Sequence, residues 1–257
     1  MEEIIKNKLK EIEEKENIRI ILAVESGSRA WGFASPDSDY DVRFIYVRPK
    51  EEYLKLGKRR DVIEYPINDE LDINGWDLDK TLRLLHDSNP TLFEWFNSPI
   101  VYKETEEADE IRELFDNHFS IKKSLYHYLS MSTKNYREFV KDHELVKAKK
   151  YFYVLRPMLA ARYILRTKKI PPIEFDVLRK EELPAELNEP VDYLLDIKIN
   201  NPEVKKIRPV VKLNEFLEKE HITLQLLAET IEDDRNKDWK DIDDLFIRLL
   251  ERREVSC

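Results

Sequence analysis

Ten residues separate the pair Gly27–Ser28 from Asp39 in the stretch ESGSRAWGFASPDSDYDVRFIYV, and Asp41 follows two positions later. Carboxylates at i and i+2 of a strand project to the same side, so Asp39 and Asp41 are spaced to reach one pair of divalent ions. Mg²⁺ keeps several waters and is held by a few carboxylates together with substrate phosphates, which matches such a donor set. Two ions of this kind activate an attacking hydroxyl and neutralise a leaving pyrophosphate. A glycine at the preceding turn lets backbone approach a phosphate closely, and the Ser28 hydroxyl and neighbouring N–H groups can bind its oxygens. The chemistry that these residue types suit is nucleotidyl transfer from a nucleoside triphosphate.

The elements around the motif are legible from pattern. Ile4, Ile5, Leu9 and Ile12 recur at helical spacing, so residues 2–16 read as an amphipathic helix. The β-branched run from Ile18 predicts a buried interior strand over 18–26, and Asp41–Val47 predicts a second strand beside it. Residues 61–66 and 70–75 read as two short strands joined by a polar turn. Asp77 suits the N-cap of a helix carrying Leu78, Leu82 and Leu85, and Ser88-Asn89-Pro90 breaks that helix before the short aromatic segment TLFEWF. From about residue 106 the pattern is helical almost to the end, with segments at 106–118, 121–141, 144–169, 191–200, 212–232 and 239–252.

A metal site of this type needs a third carboxylate from a neighbouring strand. Asp72 is the candidate, because Leu71 and Ile73 share one face of ELDING while Asp72 points to the other; Glu64 is its rival. A carboxylate set into a short apolar strand is costly unless paired or metal-bound. Arg29 can contact phosphate or pair with Glu25 or Asp37. Glu25 reads equally as a partner for Arg29 or as a group that positions water. Trp31 and Phe33 beside the turn read more readily as core than as nucleotide walls. Farther on, Lys149, Tyr153 and Arg156 stand at i, i+4 and i+7, a stripe on which a lysine and an arginine could clamp phosphates, with Lys150 able to replace Lys149. The plainer alternative is a solvated basic face. Pro157 is expected to kink this helix.

Composition narrows the remaining classes. The formal net charge of −9 over 257 residues disfavours a general nucleic-acid coat, yet residues 121–170 carry 13 Lys or Arg against 3 Asp or Glu. The single cysteine, Cys257, excludes an internal disulfide or a multi-thiolate metal site. The five histidines show no metal-ligand spacing. No apolar run has membrane-spanning length and the acidic start is unlike a signal peptide, so no membrane association and a cytoplasmic location are expected.

Gly-Ser, a short spacer, DSDYD and flanking apolar strands together resemble the nucleotidyltransferase motif of the DNA polymerase β superfamily. Beyond the motif, LDINGWDL, SNPTLFEWFNSPIVY, KKYFYVLRPMLAARYI and PPIEF follow in an order that resembles one branch, the RlaP family of RNA repair pathway polymerase β-like nucleotidyltransferases, over roughly residues 18–180. The resemblance implies an α+β polymerase β-like nucleotidyltransferase fold, a small mixed or antiparallel sheet with helices, followed by an α-helical C-terminal domain. With the helical pattern it places the two domains at 1–103 and 104–257. It implies that Gly27 and Ser28 bind the triphosphate and that Asp39, Asp41 and Asp72 hold metal and are catalytic. It also implies two Mg²⁺ ions, for which Mn²⁺ can substitute, and an NTP substrate, with ATP the first candidate. RNA is the acceptor that the family description suggests; a protein hydroxyl or a small molecule stays open, as do the oligomeric state and a catalytically silent nucleotide or RNA sensor.

Overall fold

The computed structural model describes residues 1–65, 70–200 and 206–252. The chain forms two compact units: Met1–Ala30 with Asp39–Phe119 and Arg235–Cys257, and Trp31–Ser38 with Ser120–Asp234.

In the first unit, α1 (Glu2–Glu16) stops at Asn17, whose φ of 49° closes the helix in the left-handed conformation. The chain continues through β1 (Arg19–Glu25), the single turn α2 (Gly27–Ala30), β2 (Tyr40–Val47), α3 (Lys50–Tyr53), β3 (Val62–Glu64) and β4 (Leu71–Asp77). Helices α4 (Leu78–His86) and α5 (Pro90–Phe96), strand β5 (Val101–Glu104), and helices α6 (Glu106–Arg112) and α7 (Phe115–His118) follow. Asp77 caps α4 through the Asp79 N–H, and Asn89 caps α5 ahead of Pro90. The sheet has the order β3-β4-β2-β1-β5; only β2 and β4 run parallel, and the other pairings are antiparallel. It is therefore the small mixed sheet of the α+β class. Ile5, Leu9 and Ile12 of α1 pack with Val42, Phe44, Tyr46 and Ile73 of the sheet in one buried core. Strand alternation then turns Asp41, Arg43, Asp72 and Asn74 to the opposite face. Strand β5 carries no sequence signal of its own, being a four-residue edge strand. The polar turn expected between β3 and β4 lies outside the described residues.

The second unit comprises α8 (Ile121–Phe139), β6 (Val146–Lys147), α9 (Ala148–Thr167), α10 (Phe175–Glu182), α11 (Asn188–Asn200), β7 (Lys206–Ile207) and α12 (Val211–Glu229). Helix α9 starts later than its pattern suggests, because Val146 and Lys147 pair with Ile207 and Lys206. It runs through Pro157, whose missing N–H cannot serve the Tyr153 carbonyl; the Asn135 amide donates to that oxygen at 2.9 Å. Phe33 packs against Phe152 and Phe175 in this unit's core, as its aromatic character suggests.

The last helix, α13 (Lys240–Arg252), belongs to the first unit. The units therefore do not follow a single cut at 103/104. Ile242, Leu245, Leu249 and Leu250 are buried, His118 Nε2 meets Asp241 at 3.0 Å, and Trp239 stacks on His86 with ring centroids 3.6 Å apart. Among the described residues, no helix is long and apolar enough to cross a membrane.

Candidate active site

The acidic site is built on the adjoining ends of β1, β2 and β4 in the first unit. The parallel register sets Asp41 directly beside Asp72. Two carboxylates at facing positions repel, and a third charge, Arg43, lies two residues along β2 on the same face. Its Nη2 donates to Asp41 Oδ1 at 3.1 Å and to Asp72 Oδ2 at 2.7 Å, and its Nη1 donates to the Val42 and Asp72 carbonyls. Burial pushes the Asp41 carboxyl above its ordinary range; Arg43 pulls it back, and Asp72 and Asp39 push it further up.

Gly27 explains the other side of Asp41. Its φ is +60°, and a Cβ built there would stand 2.1 Å from Asp41 Oδ2 and 2.9 Å from Cγ. The glycine is required by the approach of this carboxylate and by the left-handed turn. Ser28 and Arg29 follow in α2, both half-buried. The Arg29 guanidinium covers the Tyr40 ring at 3.7 Å, and its Nε donates to the Asp39 carbonyl at 3.2 Å. Asp39 itself is exposed and lies one residue before β2, so it does not share the strand geometry of Asp41.

Glu25 holds Asp41 from below. It is fully buried, its Oε1 accepts from the Asp41 N–H at 2.8 Å, and its Oε2 accepts from the Tyr102 hydroxyl. Burial raises its carboxyl above the usual range, while the Tyr102 and Asp41 hydrogen bonds oppose that rise. Neither of the roles expected for Glu25 anticipates this backbone clamp. Arg43 likewise lies outside the Gly-Ser and aspartate spacing, although a charge at i+2 from Asp41 inside VRFIYV is a signal for it. Glu64, the rival acid, is exposed on edge strand β3 and pairs with Arg60 at 2.8 Å.

The remaining candidates lie on α9 in the second unit. Lys149 is exposed. Lys150 sits over the Phe139 ring at 3.4 Å, and burial, followed by Lys149, lowers its pKa. Arg156 is buried under Trp31, with its guanidinium 4.6 Å from the ring centroid and its Nε donating to the Ile173 carbonyl at 3.0 Å. The stripe expected to present a lysine and an arginine alike is thus split, because α9 enters the core between them.

Among the described residues, no three carboxylate, imidazole or thiolate groups form a ready-made metal site. The donor chemistry of Asp39, Asp41 and Asp72 nevertheless fits a hard divalent ion, and a resident cation, Arg43 Nη2, already bridges two of them.

A family model described as RNA repair pathway DNA polymerase beta family (RlaP) matches residues 1–248. The chain belongs to this family. It is also 42% identical over 253 residues to the uncharacterized protein YcgL of Bacillus subtilis (strain 168), covering 98% of this chain and 97% of that one. A crystal structure of a nucleotidyltransferase-like protein from Exiguobacterium sibiricum 255-15 aligns over 88% of this chain and 75% of its own, at 14% identity and a TM-score of 0.32, too loose a likeness to bear on the fold.

Proposed function

We propose that this chain is a divalent-metal-dependent nucleotidyltransferase that moves a nucleoside monophosphate from an NTP to an acceptor hydroxyl and releases pyrophosphate. The observation that carries this is the facing pair Asp41 and Asp72 on parallel strands, beside a Gly27 turn shaped around Asp41, in a member of a polymerase β family. Asp39, Asp41 and Asp72 would hold Mg²⁺ or Mn²⁺, which when bound supplies charge neutralisation at the triphosphate and at the attacking oxygen. Asp72 accepts the acceptor hydroxyl's proton at its carboxylate. Ser28 Oγ and the adjoining backbone N–H groups bind phosphate oxygens, and Arg29 adds positive charge beside them. Glu25 keeps the Asp41 backbone in register, so most of the acceleration comes from fixed position and charge. ATP is the preferred candidate nucleotide.

RNA is the proposed acceptor, in repair or processing, on the strength of the family description and the basic segment 121–170. Lys149 and Lys150 are the cations of that segment offered for phosphate contact, whether of nucleotide or of RNA. The test is transfer of label from each α-labelled NTP to short RNA with Mg²⁺. Wild type is expected to label the RNA and Asp41→Ala is not; equal labelling by the two proteins refutes the assignment. Binding of the RNA should also weaken steeply with salt, as phosphate contacts require.

A further inference from the structure

Arg43 is the charged group of the acidic site to which the proposed reaction gives no role. It rises from the middle of β2 between buried Val42 and Phe44, and its side chain is 18% exposed. Four hydrogen bonds hold its guanidinium, two to the carboxylates of Asp41 and Asp72 and two to backbone carbonyls. The planar fork of an arginine suits this task, because one nitrogen can serve both acids while the other anchors the group to the strands. Arg43 therefore neutralises an acid pair that the β2–β4 register forces together.

A divalent cation and this guanidinium want the same negative charge. Each would repel the other at so short a range, and carboxylate oxygens given to one are taken from the other. We propose that Arg43 is a tethered counter-cation that competes with the divalent ion for Asp41 and Asp72, so that a bare ion binds weakly. An NTP carries several negative charges of its own. Its arrival with the ion offsets the repulsion from Arg43, which makes metal occupancy depend on nucleotide. By linkage the same competition works in reverse, and a bound ion loosens the Arg43 bridge. This inference rests on the metal-dependent reading proposed above.

The experiment is titration of the full chain with Mn²⁺, read by calorimetry and by the free-ion electron paramagnetic resonance signal, with and without a non-hydrolysable ATP analogue. Without nucleotide, Arg43→Gln is expected to bind Mn²⁺ at least about tenfold more tightly than wild type, a 1.4 kcal/mol difference. Arg43→Lys keeps a positive charge and should stay near wild type. The analogue should tighten wild type much more than it tightens Arg43→Gln. If Arg43→Gln binds Mn²⁺ no more tightly than wild type, the competition is refuted while metal dependence stands. If no variant binds Mn²⁺ with or without the analogue, or if Asp72→Asn leaves binding unchanged, the metal site itself is refuted, and the inference with it. Circular dichroism checks the fold; should Arg43→Gln fail there, Arg43→Met keeps the aliphatic stem and serves for the same comparison.

Discussion

Gly27→Ala separates what this turn owes to backbone conformation from what it owes to Asp41. At φ +60° an alanine strains the left-handed backbone by about 1–2 kcal/mol. The new Cβ would also stand 2.1 Å from Asp41 Oδ2, a contact no real methyl group can hold. The cheapest relief is rotation of the short Asp41 side chain, which breaks its bond to Arg43; that partly exposed ion pair is worth at most about 1 kcal/mol. The sum is about 1–3 kcal/mol, or roughly 2–12 °C in Tm for a protein of this size. Transfer should suffer far more than stability, falling by about 100-fold or more, because the displaced group is a proposed metal ligand. Urea unfolding and label transfer measure the two effects. A cycle with Asp41→Ala isolates the clash, since in that background Gly27→Ala should cost only the backbone part. Strict additivity of the two substitutions, or wild-type transfer by Gly27→Ala, would refute the reasoning.

Further expectations follow from other close contacts. A Cβ at Gly75 would stand 2.2 Å from Phe44 Cε2, so Gly75→Ala should destabilise by about 1–3 kcal/mol in urea unfolding, and Phe44→Leu in the same chain should recover part of the loss. Asn135→Leu removes the donor to the Tyr153 carbonyl above Pro157 and should cost about 1–3 kcal/mol by the same measurement. The Ser132 hydroxyl donates to the Val154 carbonyl and so accepts from His221 Nε2–H, at 2.9 Å in both cases. Burial, with a smaller push from Arg137, lowers the His221 pKa from 6.5 to about 4. The folded state therefore prefers neutral His221: its contribution is complete above pH 6.5 and is lost as pH falls toward 4. His221→Gln should flatten that part of the stability–pH profile, and an unchanged slope would remove His221 as its source.

Much of this architecture was legible because its signals are local. The caps Asp77 and Asn89 are written in the residues that make them, and the apolar stripe of α1 needs no partner to be recognised. Asp72 could be placed because strand alternation turns one charge away from Leu71 and Ile73. Register could not be read, and it is register that sets Asp72 beside Asp41 and hands both to Arg43. The amphipathic stripe of α13 says that the helix packs, but not that it returns to the first unit through Asp241 and Trp239. On α9, helical spacing put Lys149 and Arg156 on one stripe; only packing buries Arg156 under Trp31 while leaving Lys149 in water. The spacing suggests that Gly27 makes room for a phosphate; register and packing add a second demand on it, the close approach of the Asp41 carboxylate.

The most direct measurement is the fate of the two ends of the triphosphate. Incubation with Mg²⁺, RNA and ATP labelled at either the α- or the γ-phosphorus should place only the α label on the acceptor, release the γ label as pyrophosphate, and lose both signals in Asp41→Ala and Asp72→Asn. Transfer of the γ label, or α-label transfer that survives both substitutions, would show that Asp41 and Asp72 do not carry nucleotidyl transfer.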